Sequence, residues 1–198
     1  MMDYVMKPGT PKGLPFLKGK RVFLRPLRRQ DAFGPYVEWF NDEVVCAGNG
    51  HHRFPYSREE ALKYIARAHS TERELILAIE RCRDGRHIGN VALKKIDPIS
   101  RTGELAIVIG DRSCWGKGYS KEAVQLLLRH AFFTLNLNRV HCGTFETNVA
   151  MQRLARFLGM KQEGCRRQAV FKNNRYLNLI EYGLLRKEFV RRSGDAAG

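Results

Sequence analysis

Three strand-like runs follow one another in the middle of the chain, and only short turns separate them. They are ELILAIERC at 74–82, HIGNVALKKI at 87–96 and GELAIVIGD at 103–111. The Asp84-Gly85 pair between the first two is typical of a tight hairpin turn. Because strands joined by short turns pair antiparallel, these runs predict the centre of a β-sheet.

Helices and strands alternate after these runs. The segment 120–136 has helical spacing, 139–147 reads as a strand, 148–159 as a helix, and 162–171 and 176–185 as strands. Upstream lie a strand-like run and two helical segments, at 21–27, 29–40 and 58–70. The order predicts an α/β (α+β) fold, with a single mixed, mostly antiparallel central sheet of about seven strands and about four flanking helices.

The domain boundaries follow from these elements. We expect residues 20–189 to form one folded domain, because all the segments with strand or helix periodicity lie within them. Residues 1–19 hold three prolines and three glycines, which predicts a flexible N-terminal arm. We expect residues 190–198 to form a disordered tail.

The composition of the chain indicates which classes of partner and which compartment are favoured. Lys and Arg number 35 against 20 Asp and Glu, a net charge of +15, which favours an acidic partner such as nucleic acid, a nucleotide cofactor or an anionic surface. The 5 cysteines are widely spaced without a CxxC pair, which argues against zinc and disulfides and fits a reducing cytoplasm. No apolar run is long enough for a signal peptide or a membrane span, so we expect a soluble cytoplasmic protein without a membrane partner.

The stretch DRSCWGKGYSKEA (111–123) places two glycines just before a helix. It is not a Walker A loop, because five residues separate Gly110 from Gly116 and Gly118 stands where Ser or Thr is required. It is not a dinucleotide fingerprint either, because Lys121 occupies the position of the third glycine. Two readings remain: a plain strand-to-helix turn, or a turn whose backbone N–H groups and helix N-terminus hold a pyrophosphate.

The segments WGKGYSKEA and FETNVAMQRLARFLGM, in their strand–turn–helix–strand–helix order, resemble the GNAT superfamily of acyl-CoA N-acyltransferases. The family signature Q/R-x-x-G-x-G/A falls on the six residues Trp115, Gly116, Lys117, Gly118, Tyr119 and Ser120. Gly118 matches its central glycine, whereas Trp115 and Ser120 depart from it. The opening RVFLRPLRRQD and the closing FKNNRYLNLIEYGLL are similar to the subgroup with ribosomal-protein alanine and amino-sugar acetyltransferases.

This resemblance implies acetyl-CoA as cosubstrate, without a metal, and a set of site residues. The turn would hold the pyrophosphate, and the backbone of Ile107, Val108 and Ile109 would hold the pantetheine arm and the thioester carbonyl. Asn148 would contact the coenzyme, although it is also a good helix N-cap. Glu104 would act as general base, or it is a partly exposed acid at a strand end.

One family feature is missing. Many relatives carry a tyrosine, four residues before the glycine that ends the last helix, that protonates the leaving thiolate; here that position is Ala155. Tyr119, Tyr176, Tyr182 or water could take this role. The sequence therefore leaves the general acid open.

The amine acceptor is open as well. The resemblance places its site near Trp39, Phe40 and the loop at 51–53, where two histidines lack a third metal ligand at useful spacing. A charge of +15 disfavours a polyamine and fits a nucleotide-linked amino sugar or a protein N-terminus on the ribosome. A homodimer is compatible with the sequence. The alternative is a catalytically inactive module that senses acyl-CoA or binds RNA, motivated by LRPLRRQ, CRRQAVFKNNR and the missing tyrosine.

Overall fold

The computed structural model describes residues 15–193 of the chain, as a single sheet of 8 strands with helices on both faces. The strands are β1 (Leu17–Lys18), β2 (Val22–Pro26), β3 (Leu75–Arg81), β4 (His87–Asp97), β5 (Thr102–Ile109), β6 (Arg139–Phe145), β7 (Lys161–Lys172) and β8 (Arg175–Leu185). The helices are α1 (Tyr36–Asn41), α2 (Glu43–Cys46), α3 (Arg58–Ala68), α4 (Tyr119–Phe133), α5 (Val149–Leu158) and α6 (Arg186–Ser193).

The strand order is β1-β2-β3-β4-β5-β6-β8-β7, and every neighbouring pair is antiparallel except β5 with β6. The predicted class, a mixed and mostly antiparallel sheet flanked by helices, is therefore confirmed. The parallel pair arises because α4 crosses over between β5 and β6, and such a crossover returns the chain in the same direction.

Two apolar clusters cover the two faces of the sheet. The larger cluster packs the buried sides of α4 and α5 against alternate residues of the strands, among them Leu105, Val140 and Cys142. The smaller cluster packs α1, α2 and α3 against Ala78, Ala92 and their neighbours on the other face. We call these the α4 face and the α1 face of the sheet.

Several local features of the fold follow from the residue types at the element ends. Gly34 and Pro35 separate a 3₁₀ turn at Arg29–Phe33 from α1, because proline interrupts a continuous helix. The Oγ of Ser57 accepts a hydrogen bond from the N–H of Glu60, which caps α3. Asn173 and Asn174 take positive φ angles of 49° and 57° in the turn between β7 and β8.

The structure also differs from the sequence reading at short elements. Between the predicted helical segments 29–40 and 58–70 lies α2, for which the sequence predicted no element. It forms because the Asp42 side chain accepts hydrogen bonds from the N–H groups of Val44 and Val45. Strand β1 lies inside the segment assigned to the arm, and α6 extends through residues 190–193 of the segment assigned to the tail. The remainder of those two segments, 1–14 and 194–198, lies outside the described residues.

The described part of the chain contains no helix that is both long enough and apolar enough to cross a membrane.

Candidate functional site

The central feature of the site is a fork in the sheet between β5 and β6. These strands pair over three residues only: Thr102 with Arg139, Gly103 with Val140, and Glu104 with His141. Beyond this point β5 continues along β4 as far as Ile109, while β6 continues along β8 as far as Phe145. The two halves of the sheet therefore diverge and leave a wedge-shaped opening.

Ile107, Val108 and Ile109 line one arm of this fork. All three are partly exposed, which is unusual for apolar residues inside a sheet. Ile107 and Ile109 pack on the α4 face and Val108 on the α1 face, so their side chains serve the core. Their backbone edge toward β6 has no strand partner and is available to a ligand.

The turn that leaves β5 is held by hydrogen bonds. The Asp111 carboxylate accepts bonds from the N–H and Oγ of Ser113 and from the Cys114 thiol, and it pairs with Arg86 at 3.1 Å. Burial alone would raise the pKa of Asp111, but these bonds and the charge of Arg86 hold it below its usual value. The indole N–H of Trp115 donates to the carbonyl of Ile109 at 2.7 Å. Trp115 thus ties the turn to the end of β5.

Gly116 and Gly118 adopt φ angles of 71° and 79°, a region that only glycine enters without strain. Helix α4 begins right after Gly118, and no side chain caps its N-terminus. The first-turn N–H groups have no partner within a helix, so those of Tyr119 and Ser120 point out of the helix end. The helix dipole adds partial positive charge there.

The space in front of this turn accommodates an anion. A Cβ added to Gly116 would meet nothing within 4 Å, and one added to Gly118 would meet only Nη1 of Arg21, at 3.6 Å. The guanidinium of Arg21 lies 4.6 Å from the centre of the Tyr119 ring, and the Lys117 side chain is exposed. The turn therefore fits a pyrophosphate in both geometry and charge.

Arg21 is a functional candidate that sequence reasoning missed. It lies about a hundred positions before the turn, and its place is fixed by Glu122 in the first turn of α4. One oxygen of Glu122 accepts hydrogen bonds from the backbone N–H groups of Lys20 and Arg21. A glutamate in a first helical turn is a common signal, but its partner segment depends on the tertiary fold.

Asn148 caps α5 as predicted. Its side-chain oxygen accepts a hydrogen bond from the N–H of Met151 at 3.0 Å, and its amide donates to the carbonyl of Gly48 at 2.9 Å. Asn148 therefore links α5 to the loop between α2 and α3.

Glu104 sits at the base of the fork, on the last paired position of β5. Its side chain is 30% exposed and pairs with Lys95 at 2.8 Å. Because Leu105 points to the α4 face, Glu104 points to the α1 face. A carboxylate at this position can draw a proton from an amine that enters on the α1 face.

Two buried hydroxyls near the fork lack partners. Thr144 Oγ1 and Tyr182 Oη make no hydrogen bond with any described residue. Such groups cost free energy unless a ligand or water bonds them. Tyr182 faces Cys142 of β6 and lies in the same apolar cluster as Ala155.

The other two tyrosines named from the sequence lie elsewhere. Tyr119 opens α4 under Arg21. Tyr176 is 65% exposed near the tip of the β7–β8 hairpin, where its ring contacts Phe171.

The loop between α2 and α3 is bound to the tip of the same hairpin. Lys172 Nζ donates to the carbonyl of His51 at 2.8 Å, and Arg53 donates to the carbonyl of Phe171 at 3.2 Å. Burial lowers the pKa of His51, and the charges of Lys94 and Lys172 lower it further. Trp39 belongs to the core and packs against the Cα of Gly110.

Some arginines of the two basic clusters, LRPLRRQ (24–30) and CRRQAVFKNNR (165–175), are paired with carboxylates. Arg25 of the first cluster is 3% exposed and pairs with both Asp31 and Glu80. In the second cluster, Arg166 pairs with Glu181. Part of the excess positive charge is therefore neutralised locally.

The chain is similar in sequence to known N-acetyltransferases. A family model described as "Acetyltransferase (GNAT) domain" matches residues 21–161. The "Probable N-acetyltransferase YjcK" of Bacillus subtilis is 30% identical over 78% of this chain and 88% of its own length. The "Putative ribosomal N-acetyltransferase YdaF" of the same organism is 29% identical over 54% of this chain. The chain spans 57% of the length of YdaF and of another relative, the "Uncharacterized N-acetyltransferase p20" of Bacillus licheniformis.

A solved structure has the same fold. The spermidine N-acetyltransferase of Vibrio cholerae, in complex with CoA and spermine, superposes with a TM-score of 0.78 over 86% of this chain and 98% of that one. Its sequence is 23% identical, so the likeness is one of fold.

Proposed function

This chain belongs to the GNAT family of acetyl-CoA-dependent N-acetyltransferases, and from that membership we propose that it acetylates a primary amine directly from acetyl-CoA in a ternary complex. The observation that carries the proposal is the continuity of the site. The fork between β5 and β6 leads along Ile109 into a turn with two glycines at positive φ and then into an uncapped helix N-terminus. A thioester and a pyrophosphate, linked by an extended arm, need such a succession of sites.

The coenzyme would be held at both ends of this path. The backbone N–H groups of residues 116–120 would bind the pyrophosphate, with added charge from Arg21 and Lys117. The free backbone edge at residues 107–109 would hold the arm and the thioester carbonyl. Trp115 would act indirectly by fixing the turn to Ile109, and Asn148 would contact the coenzyme from the start of α5.

The chemistry needs a proton acceptor for the amine. An ammonium is not a nucleophile, and Glu104 at the base of the fork is the carboxylate that would draw its proton, through water. Tyr182 is the tyrosine best placed to protonate the leaving thiolate, because its hydroxyl is buried beside β6 without a partner. None of the cysteines pairs with a His–acid couple among the described residues, which supports direct transfer over a covalent intermediate.

For the acceptor, we propose an amine that also carries negative charge, either a nucleotide-linked amino sugar or an N-terminus in a ribosome-associated protein. The net charge of +15 supports this, as do Lys94 and Lys172, which both act on His51 beside the acceptor side of the sheet. The name of YdaF supports the ribosomal option. The spermidine enzyme is named for a cationic acceptor and is alike in fold alone. A homodimer and a cytoplasmic location stay predictions.

A thiol-release assay tests the proposal. Acetyl-CoA would be mixed with the protein and a panel of amines: amino-sugar nucleotides, peptides with free N-termini, and spermidine. We expect turnover with at least one anionic amine and a lower kcat/KM with spermidine. If no amine is acetylated while RNA binds tightly and in a salt-dependent manner, the chain is a binding module and the proposal is wrong.

A further inference from the structure

His141 is a second titratable group at the base of the fork, and nothing in the site described above uses it. Its neighbours Val140 and Cys142 point into the cluster on the α4 face, so the imidazole points to the α1 face, the side of Glu104. His141 and Glu104 are directly paired across the two strands, which lie about 4.8 Å apart in a sheet. Both side chains therefore stand at the point where the fork opens.

The ring of His141 is free to bind something else. It makes no hydrogen bond, ion pair or ring contact with any residue between 15 and 193. By contrast, His69 and His87 are bonded to carbonyl oxygens, and His51 and His130 contact aromatic rings. A half-buried imidazole with both nitrogens unused is available to a substrate or a water molecule.

Charged groups surround His141: Glu104 on β5, Lys95 on β4, Arg139 on its own strand β6 and Glu163 on β7 all act on its charge. Glu181 on β8 lies opposite Gly143, two residues further along β6. Lys95 pairs with Glu104, Arg139 with Glu163, and Arg166 with Glu181, so the cluster is close to balanced. Burial lowers the pKa of His141 below 6.5, Arg139 and Lys95 lower it further, and Glu104 and Glu163 oppose this. The imidazole is thus neutral at pH 7 and can accept a proton.

We propose that His141 takes the proton from the acceptor amine, and that Glu104 acts as a base through His141 by stabilising the imidazolium that forms. The inference rests on the proposed function, because it needs an amine and a thioester in the fork. It replaces a direct role of Glu104 with a coupled pair, in which the imidazole is the catalytic residue and the negative charge of the carboxylate stabilises its protonated form.

The proton balance of this step is complete. The ammonium gives one proton to a ring nitrogen of His141 and becomes a neutral amine, which then attacks the thioester carbon. The carbon–sulfur bond breaks, and the sulfur leaves with the bonding electron pair. The nitrogen then loses a second proton, and the sulfur gains one. The products are the amide, the free thiol of coenzyme A and one proton, which His141 releases to solvent.

The experiment combines a pH–rate profile with an NMR titration of the full chain. For the amine with the highest turnover, kcat/KM would be measured from pH 5 to 9 for wild type, His141→Gln and Glu104→Gln, with melting temperatures as a check on folding. The wild-type profile should rise through an apparent pKa below 6.5 and then level off. In His141→Gln, kcat/KM at pH 7 should be about a hundredfold lower than in wild type. Its kcat/KM should also keep rising with pH, because the free amine becomes more abundant.

The NMR arm needs no turnover. Long-range ¹H–¹⁵N correlation of the imidazole should report a pKa for His141 that falls further in Glu104→Gln, because the negative charge that raises it is gone. His130→Gln is the matched control. Burial lowers the pKa of His130 as well, but His130 lies on α4 with its ring against Phe16, away from the fork, so the rate profile should stay as in wild type.

The failures can be distinguished. If wild type acetylates no amine, the proposed function is wrong and this inference falls with it. If wild type is active but His141→Gln keeps its rate and profile, the inference alone is refuted. An unchanged His141 pKa in Glu104→Gln would refute the coupling between the two residues, also if His141→Gln failed to fold.

Discussion

Glu104 and His141 are paired in the last rung of the one parallel strand pair that the described residues contain. Directly beyond this rung the two strands separate. Glu104 and His141 therefore place a carboxylate and an imidazole at the base of the opening. A shift of either strand by one residue would turn its side chain into the apolar cluster on the other face. The register of a three-residue pairing thus determines whether the site can exist.

The turn at residues 116–118 allows a matched comparison. Gly116 and Gly85 have φ angles of 71° and 65°, and an added Cβ would meet nothing within 4 Å at either position. Gly116→Ala and Gly85→Ala should therefore each lower the free energy of unfolding by about 1 kcal/mol, the cost of a left-handed alanine. Only Gly116→Ala places a methyl group where the pyrophosphate would approach.

We expect Gly116→Ala to weaken coenzyme A binding at least tenfold and Gly85→Ala to leave it unchanged. Isothermal titration calorimetry and thermal unfolding of both variants measure the two quantities. Equal affinities in the two variants would contradict the placement of the pyrophosphate.

Arg21 provides a test that separates charge from fold. Its guanidinium lies beside Gly118 over the Tyr119 ring, so Arg21→Gln should remove one charge-assisted contact with the pyrophosphate. The KM for acetyl-CoA should rise about tenfold, a loss of about 1.4 kcal/mol. The KM for S-acetylpantetheine, which carries no phosphate, should not change.

A general distortion of the site would impair both donors equally. That outcome would assign Arg21 a purely structural role.

The fold could be predicted largely because its signals are local. Alternating apolar residues and short turns mark β3, β4 and β5, and the spacing of apolar residues marks α4 and α5. The two glycines just before α4 could also be recognised from the sequence. Strand β1 and helix α2 were missed because they are only 2 and 4 residues long. Strand β1 depends on its pairing with β2, and α2 depends on a single local cap by the Asp42 side chain.

The site residues named from the sequence stay predictions, and they are limited to segments that resemble a known motif. Arg21 reaches the turn through bonds to Glu122, which no spacing pattern reveals. His141 could have been noticed in the sequence, because it is a titratable residue between Val140 and Cys142, whose side chains point to the opposite face of the strand. That signal gains meaning only once the register with Glu104 is known.

Asn148 combines two roles that substitutions can separate. Asn148→Ala removes the N-cap of α5 and should cost about 1 kcal/mol of stability. Asn148→Ser keeps an oxygen that can cap the helix but removes the amide that donates to Gly48. If Asn148 also contacts the coenzyme, both variants should raise the KM for acetyl-CoA, while only Asn148→Ala should lower the melting temperature.

An unchanged KM in Asn148→Ser would leave Asn148 with its capping role alone. Chemical denaturation and initial-rate kinetics on the same preparations decide between these outcomes.

The hydroxyl of Tyr182 is buried without a partner, and its removal tests whether it serves the reaction. Deleting such a group in Tyr182→Phe should leave the free energy of unfolding unchanged or raise it, because no protein hydrogen bond is lost. If the hydroxyl protonates the departing thiolate, kcat should fall about a hundredfold. The defect should shrink with an acetyl thioester of an aromatic thiol, since that thiolate leaves without needing a proton.

Tyr176→Phe, at the exposed hairpin tip, is the control and should retain full activity with both thioesters. A uniform loss with both donors in Tyr182→Phe would indicate a packing effect, and an unchanged kcat would leave water as the acid.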